Sequence, residues 1–152
     1  MRHFVAYHSE KRMGYTAEES DPFGLYTSKN VSNPIGDTVW IIAGKGGTPK
    51  QYFLASWFVI SKVTPANHPD FGLTLSGQEG GAFDPMPRLD VMEWFPDFRR
   101  RMANFSIGLT ELRQPAVIEA LRQVAATAGH PQTQQAAATR SDRELGHPGS
   151  VA

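Results

Sequence analysis

Residues 37–63 read DTVWIIAGKGGTPKQYFLASWFVISKV, and this stretch decides the fold. Its two apolar runs, 37–43 and 51–63, are rich in the β-branched and aromatic residues that strands favour. The intervening GKGGTPK holds three glycines and one proline in seven residues, which is typical of a turn. The stretch therefore predicts an antiparallel hairpin. Because both alternating faces of the second run are apolar, its strand belongs in a barrel or in a sheet covered on both sides.

Shorter elements are predicted on either side of this hairpin. HFVAYH at 3–8 and FGLYTS at 23–28 have the composition of strands, whereas the Gly- and Pro-rich segment 64–88 predicts a long loop. A short helix is expected around 97–104. PAVIEALRQVAATA at 115–128 predicts a longer one, with proline in its first turn and one apolar stripe. The predicted fold class is α+β: a small, mostly antiparallel β-barrel with flanking helices and a C-terminal helix.

Composition narrows the classes of function. The chain has 152 residues, 40% of them hydrophobic and 20% charged, which fits one folded domain. We expect this domain at 1–129 and a flexible tail at 130–152, where aromatic residues and apolar periodicity are lost. Fifteen basic residues balance fifteen acidic ones, so any nucleic-acid contact must be a local patch. The absence of cysteine excludes disulfides, Cys-ligated zinc, iron–sulfur clusters and thiol nucleophiles.

Motifs for catalysis, metal binding and membrane insertion are missing. His8, Glu10, His68 and Asp70 are metal-ligand types, but none shows the spacing of a helical metal motif, so no metal and no cofactor are expected. There is no G-x-S-x-G elbow, and we find no positive sign of an enzyme. No apolar run reaches the roughly 18 residues of a membrane span and no signal peptide is recognisable, which predicts a cytoplasmic protein without a membrane partner.

Two basic segments each allow two interpretations. In the loop 44–50, Lys45 and Lys50 could touch a nucleic-acid phosphate, or the loop could be an ordinary solvated turn. A nucleotide-binding Walker loop is rejected because the segment joins two strands. The arginines 99–101 follow the aromatic run WFPDF, so they either form a basic rim beside an aromatic pocket or begin a solvated helix screened by Asp97.

Taken in order, HFVAYHS, GLYTS, the hairpin 37–63 and DVMEWF at 90–95 resemble the PUA-like superfamily, especially its EVE and YTH branches. Members of these branches are small β-barrels with flanking helices that bind modified bases. The resemblance covers about residues 1–98. It implies that Tyr26 forms one wall of an aromatic cage, that Phe71 or Phe83 forms the second wall, and that Ser9 lies in the polar turn framing the pocket.

The same resemblance implies a reader of modified nucleic acid. A flipped base would stack between aromatic rings while polar groups read its edge. The implied base-binding residues are Tyr26, Ser9, His8, Asn30, Phe71, Phe83 and Trp40. Taken singly, aromatic residues such as Tyr26 and Trp40 more often belong to a hydrophobic core than to a binding site. The implied phosphate-binding residues are Lys29, Lys45, Lys50, Arg99 and Arg100. The implied partners are a nucleic acid with a modified base, DNA rather than RNA, and a nuclease in a modification-dependent restriction system.

Two other classes of function stay open. The first is a protein-interaction or small-ligand-binding barrel without nucleic-acid affinity, which the balanced net charge favours. The second is a hydrolase or deaminase-like enzyme on a related barrel. That enzyme would need histidines or carboxylates converging in one pocket, which sequence spacing does not reveal.

Overall fold

In the computed structural model, residues 1–10, 14–105, 108–128 and 150–151 are described. These residues form nine strands, two α-helices and two short 3-10 turns. The strands are β1 His3–Ser9, β2 Gly24–Thr27, β3 Thr38–Lys45, β4 Gln51–Val59, β5 Lys62–Pro65, β6 Leu73–Ser76, β7 Glu79–Ala82, β8 Thr110–Leu112 and β9 Ser150–Val151. The helices are α1 Phe95–Arg101 and α2 Pro115–Thr127, and the 3-10 turns are Ala17–Glu19 and Ala103–Phe105.

The strands form two open sheets rather than a closed barrel. Sheet A has the order β7-β4-β3-β1-β8, and sheet B has the order β5-β6-β2-β9. β1 runs parallel to β3 and β9 parallel to β2, whereas the other neighbouring strands are antiparallel. The α+β class and the mostly antiparallel pairing are therefore confirmed. The closed barrel is not found within the described residues, where the edge strands of the two sheets, two to four residues long, do not pair with each other.

Sheet A is covered on both faces, as the two-sided apolar pattern of the hairpin predicted. Alternate residues such as Val39 and Ile41 pack with Leu25 and Leu75 of sheet B. The residues between them, such as Trp40 and Ile42, pack on the opposite face against the helices. One register irregularity between Ile41 and Ile42 adjusts the pairing of β3 with β4. The molecule is consequently layered as sheet B, sheet A and then helices.

The segment 64–88 is not the long loop that its composition predicted. It contains the end of β5 together with β6 and β7, and the predicted strand 51–63 is divided between β4 in sheet A and β5 in sheet B. Two glycines in this segment allow a close approach between strands. A Cβ added to Gly77 or Gly80 would collide with a main-chain carbonyl oxygen of β4. Glycine there therefore permits β-structure instead of interrupting it.

The helices follow the sequence signals closely. α2 begins at Pro115, as predicted, and buries Leu121 completely against sheet A. α1 begins two residues before the predicted segment. The predicted tail lies outside the described residues except for β9, a strand that the sequence did not indicate, and the boundary at 129 stays a prediction. Among the described helices, none has the length and apolar character required to cross a membrane.

Candidate functional site

A polar basin lies at the carboxyl ends of β1 and β3. Because these strands run parallel and in register, Ser9 at the end of β1 lies opposite Gly44 near the end of β3. The basin is lined by Ser9, Glu10, Gly14, residues 44–48 and Lys50, and its volume is about 670 Å³. The hairpin loop thus brings three predicted site residues, Ser9, Lys45 and Lys50, into one cavity.

The cations in and near the polar basin differ in whether a carboxylate forms a salt bridge with them. Lys45 Nζ lies 2.6 Å from Glu18 Oε2, so its charge is already paired. Lys50 Nζ lies 6.0 Å from the centre of the Tyr7 ring, and the Arg99 guanidinium lies 4.9 Å from that of Tyr52. Among the described residues neither Lys50 nor Arg99 forms a salt bridge. These two cations are therefore the better candidates to bind an anion.

Tyr7 connects the two cations. Its ring lies 6.1 Å from that of Tyr52, so Lys50 and Arg99 lie over neighbouring rings. Burial raises the pKa of Tyr7, and the positive charge of Arg99 opposes part of that rise. The Tyr7 hydroxyl occupies the space that a side chain at Gly44 would need. Arg99 does not line the basin, so the tyrosine pair lies between a basin lysine and a second cation outside it.

A group of three aromatic rings lies on the outer face of sheet B. Because Leu25 faces the core, its neighbour Tyr26 points away from sheet A. The ring of Phe71 is nearly parallel to that of Tyr26, with centroids 6.3 Å apart and planes at 13°. The ring of His68 lies 5.0 Å from Tyr26 and 4.9 Å from Phe71. We call Tyr26, His68 and Phe71 the ring group.

The loop of the β5–β6 hairpin positions the ring group. The amide of Ala66 donates to the carbonyl of Gly72 at 3.0 Å, which closes the loop that carries His68 and Phe71. Since β6 pairs with β2, this loop lies beside Tyr26. The sequence analysis considered His68 only as a metal-ligand type. The available sequence signal for the ring group was that His68 precedes Phe71 by three positions in the same loop.

Tyr15 lies beside the polar basin. Its neighbour Gly14 lines the basin, and the Tyr15 ring lies 5.4 Å from that of His8. Burial raises the pKa of Tyr15 to about 12, and the negative charge of an ionised Tyr26 contributes to this rise. The sequence analysis did not single out Tyr15.

Three predicted base-binding residues are buried instead. His8 is 1% exposed, and its Nε2 lies 2.9 Å from the carbonyl oxygen of Tyr15, so this nitrogen donates and holds the main chain. Burial lowers the pKa of His8. Phe83 and Trp40 pack on the helix side of sheet A, away from Tyr26. Of the two phenylalanines proposed as second cage wall, only Phe71 contacts Tyr26.

The remaining predicted residues lie outside the polar basin. Lys29 and Asn30 follow β2 and do not line it. Arg100 shares Asp97 with Arg101, and each contact measures 2.6 Å. This pairing matches the screened helix that the sequence left as one interpretation of the arginine run. Within the described part of the chain, no three histidines or carboxylates converge as metal ligands would.

Comparison with known proteins does not assign the chain to a family. No protein-family model matches the sequence, and no curated protein matches it.

Proposed function

We propose that this protein binds a nucleic-acid strand and holds a modified base against the Tyr26 ring. The observation that carries the proposal is the outward-facing ring group, in which Tyr26 lies against Phe71 and His68, on a molecule that also has a lysine-containing polar basin. Phosphate contacts fix the position of a strand, whereas ring stacking holds a base. The assignment to the PUA-like readers, the cytoplasmic location and a nuclease partner belong to the same proposal.

The spacing of the ring group constrains how a base would bind. Two van der Waals contacts of about 3.5 Å require parallel rings about 7 Å apart. The Tyr26 and Phe71 centroids are 6.3 Å apart, so a base enters between them only if the hairpin loop moves outward. Stacking on one ring is worth about 1–3 kcal/mol, while extruding a base from a duplex costs a few kcal/mol. Single-stranded nucleic acid is therefore the favoured ligand.

The balance of charge also limits the affinity. The net charge is zero, so attraction to phosphates must come from the local pair Lys50 and Arg99. Glu10 in the basin and Glu18 at its edge repel phosphate. We expect a small number of phosphate contacts and a correspondingly shallow dependence of affinity on salt.

The test is fluorescence anisotropy at fixed ionic strength, with single- and double-stranded oligonucleotides. These carry 5-methylcytosine, 5-hydroxymethylcytosine, N6-methyladenine or no modification. Tyr26→Ala is expected to weaken binding of the preferred modified strand by about 1–3 kcal/mol, as for the loss of one stacking face. Phe71→Ala should weaken the same interaction, because it removes the ring stacked on Tyr26.

Lysine variants separate phosphate contacts from base contacts. Replacing Lys45 and Lys50 by glutamine should weaken binding of modified and unmodified strands alike and flatten the salt dependence. The single variant Lys50→Gln should account for most of this loss, since Lys45 is paired with Glu18. Lys62→Gln, on exposed β5, is the matched control. Equal, millimolar-range binding to every oligonucleotide, unaffected by Tyr26→Ala, would refute the proposal.

A further inference from the structure

A second cavity lies at the opposite end of sheet A from the polar basin. It is bounded by the start of β1 and β3 and by the end of β4, whereas the basin lies where β1 and β3 end. Its volume is about 440 Å³. Pockets that bury small ligands measure about 300–1,000 Å³, so this cavity has the required size. We call it the tryptophan pocket, after Trp40 and Trp57 in its wall.

The pairing of the strands explains why the tryptophan pocket is open. Trp40, Trp57 and Gly81 form one row across β3, β4 and β7. Gly81, the neighbour of Trp57 on β7, has no side chain. The adjoining residues of α2 that line the pocket, Ala125 and Ala126, are small. Small residues therefore lie next to the two large rings of the pocket wall.

The wall of the pocket consists of aromatic rings. The centroids of Trp40 and Trp57 lie 6.0 Å apart, with planes at 34°. The His3 ring stacks on Trp40 at 6.2 Å with planes at 17°. Trp57 is only partly buried, so part of its ring faces the opening. A flat aromatic ligand would find stacking partners in this wall.

A hydrogen bond fixes the state of His3. Trp40 Nε1 lies 3.0 Å from His3 Nδ1. An indole N–H can only donate, so Nδ1 accepts and the neutral imidazole carries its proton on Nε2. Burial lowers the pKa of His3, and the charge of Arg122 lowers it further. The wall thus contains a neutral histidine that retains one N–H donor.

The charges at the rim distinguish the ligands that the pocket can accept. Glu79 and Arg122 both line it. The positive charge of Arg122 contributes to the lowered pKa of His3, and Asp37 opposes it more weakly. Arg122 Nη1 lies 3.9 Å from Glu119 Oε2, and both side chains are more than half exposed, so that ion pair holds Arg122 only weakly. Among the described residues Arg122 forms no salt bridge with Glu79, so its guanidinium is available to pair with an anionic ligand.

We propose that the tryptophan pocket binds a planar aromatic acid, with its ring against Trp40 and Trp57 and its carboxylate paired with Arg122. This site uses no residue of the polar basin or the ring group, so it does not depend on the proposed nucleic-acid binding. Arginine pairs with carboxylates through two parallel N–H donors, which suits an acid better than an alcohol or amide.

The probe is 2-naphthoate, with 2-naphthamide as its uncharged analogue, titrated into the full-length protein labelled with nitrogen-15. The chain has three tryptophans, so three indole N–H signals report on the titration. Naphthoate should shift the signals of Trp40 and Trp57. The signal of Trp94, which packs against Phe98 of α1, should not move. Shifts of all three signals, or of none, would overturn the proposal.

Variants test the role of charge. Arg122→Gln should lower the affinity for naphthoate about tenfold, the loss of a charge-assisted pair, and leave that for naphthamide unchanged. Arg113→Gln, which replaces an exposed arginine after β8 that does not line the pocket, should alter neither. Equal losses for both probes in Arg122→Gln would overturn the assignment of the carboxylate. Tighter binding of 2-naphthylmethylammonium than of naphthoate would show that Glu79 dominates and would equally overturn it.

Discussion

Replacing Gly44 by alanine is expected to destabilise the folded protein by about 1–3 kcal/mol, the usual cost of overpacking a buried site. A Cβ at this position would collide with the Tyr7 hydroxyl. It would also lie 2.8 Å from Cζ of that ring and 3.1 Å from Cδ of Lys50. The tyrosine does not swing away freely, because its ring stacks on Phe105 with centroids 5.2 Å apart. The collision must therefore be relieved by moving packed groups.

The measurement is the free energy of unfolding from urea denaturation, with Gly47→Ala as control. A Cβ on Gly47 meets no atom within 4 Å, so this variant should keep or slightly increase the stability. The variant Tyr7→Phe isolates the collision. The Tyr7 hydroxyl is buried without a hydrogen-bond partner among the described residues, so removing it should not destabilise the protein.

In the Tyr7→Phe background, Gly44→Ala should cost less than in the natural sequence, with a coupling of at least about 0.5 kcal/mol. Equal midpoints for Gly44→Ala and Gly47→Ala, or the same cost in both backgrounds, would refute the packing argument.

Two further predictions concern stability. Leu121→Ala should lower the free energy of unfolding by about 2–5 kcal/mol, since Leu121 is fully buried between α2 and sheet A. The measurement is a thermal melt followed by circular dichroism, and a melt that matches that of the unmutated protein would contradict this packing. Acid should weaken the fold through His8, whose pKa is held below the ordinary 6.5 by burial, because the unfolded chain binds the proton first. This stability is present above about pH 6.5 and is lost as the pH falls towards the folded-state pKa. The urea midpoint of unfolding should therefore drop as the pH is lowered from about 7.5 to 5.5, and it should drop less in His8→Gln. A midpoint that does not depend on pH would exclude this role of His8.

The sequence predicted those helices and strands whose residue pattern lies within one continuous segment of the chain. The β3–β4 hairpin follows from two apolar runs around a glycine turn, and α2 follows from its apolar stripe behind Pro115. β6 and β7 were missed because each has four residues, and β7 contains two glycines. Whether a glycine ends a strand or lets it approach a neighbour depends on the distant residue opposite, which in the case of Gly80 belongs to β4. The sequence around the glycine does not contain that information.

The same distinction applies to the candidate site. Lys45 and Lys50 flank one short loop, so their proximity was predictable, and the parallel pairing of β1 with β3 adds Ser9. Phe71 and Phe83 both fell in the predicted loop, and nothing local to either indicated that Phe83 packs under the helices. The tryptophan pocket depends on the register between β3, β4 and β7. Single-segment periodicity does not encode that register.

The position of β1 in sheet A sets an order for folding during synthesis. Among the described strands β1 is made before its two neighbours, β3 and β8, and β8 begins only at residue 110. At about 5–20 residues per second, the ribosome needs several seconds to supply the second neighbour. Throughout that interval one edge of β1 has unsatisfied main-chain donors and acceptors, which can pair with other chains. A nascent chain of this protein consequently remains open to wrong pairing at this edge until β8 has been translated.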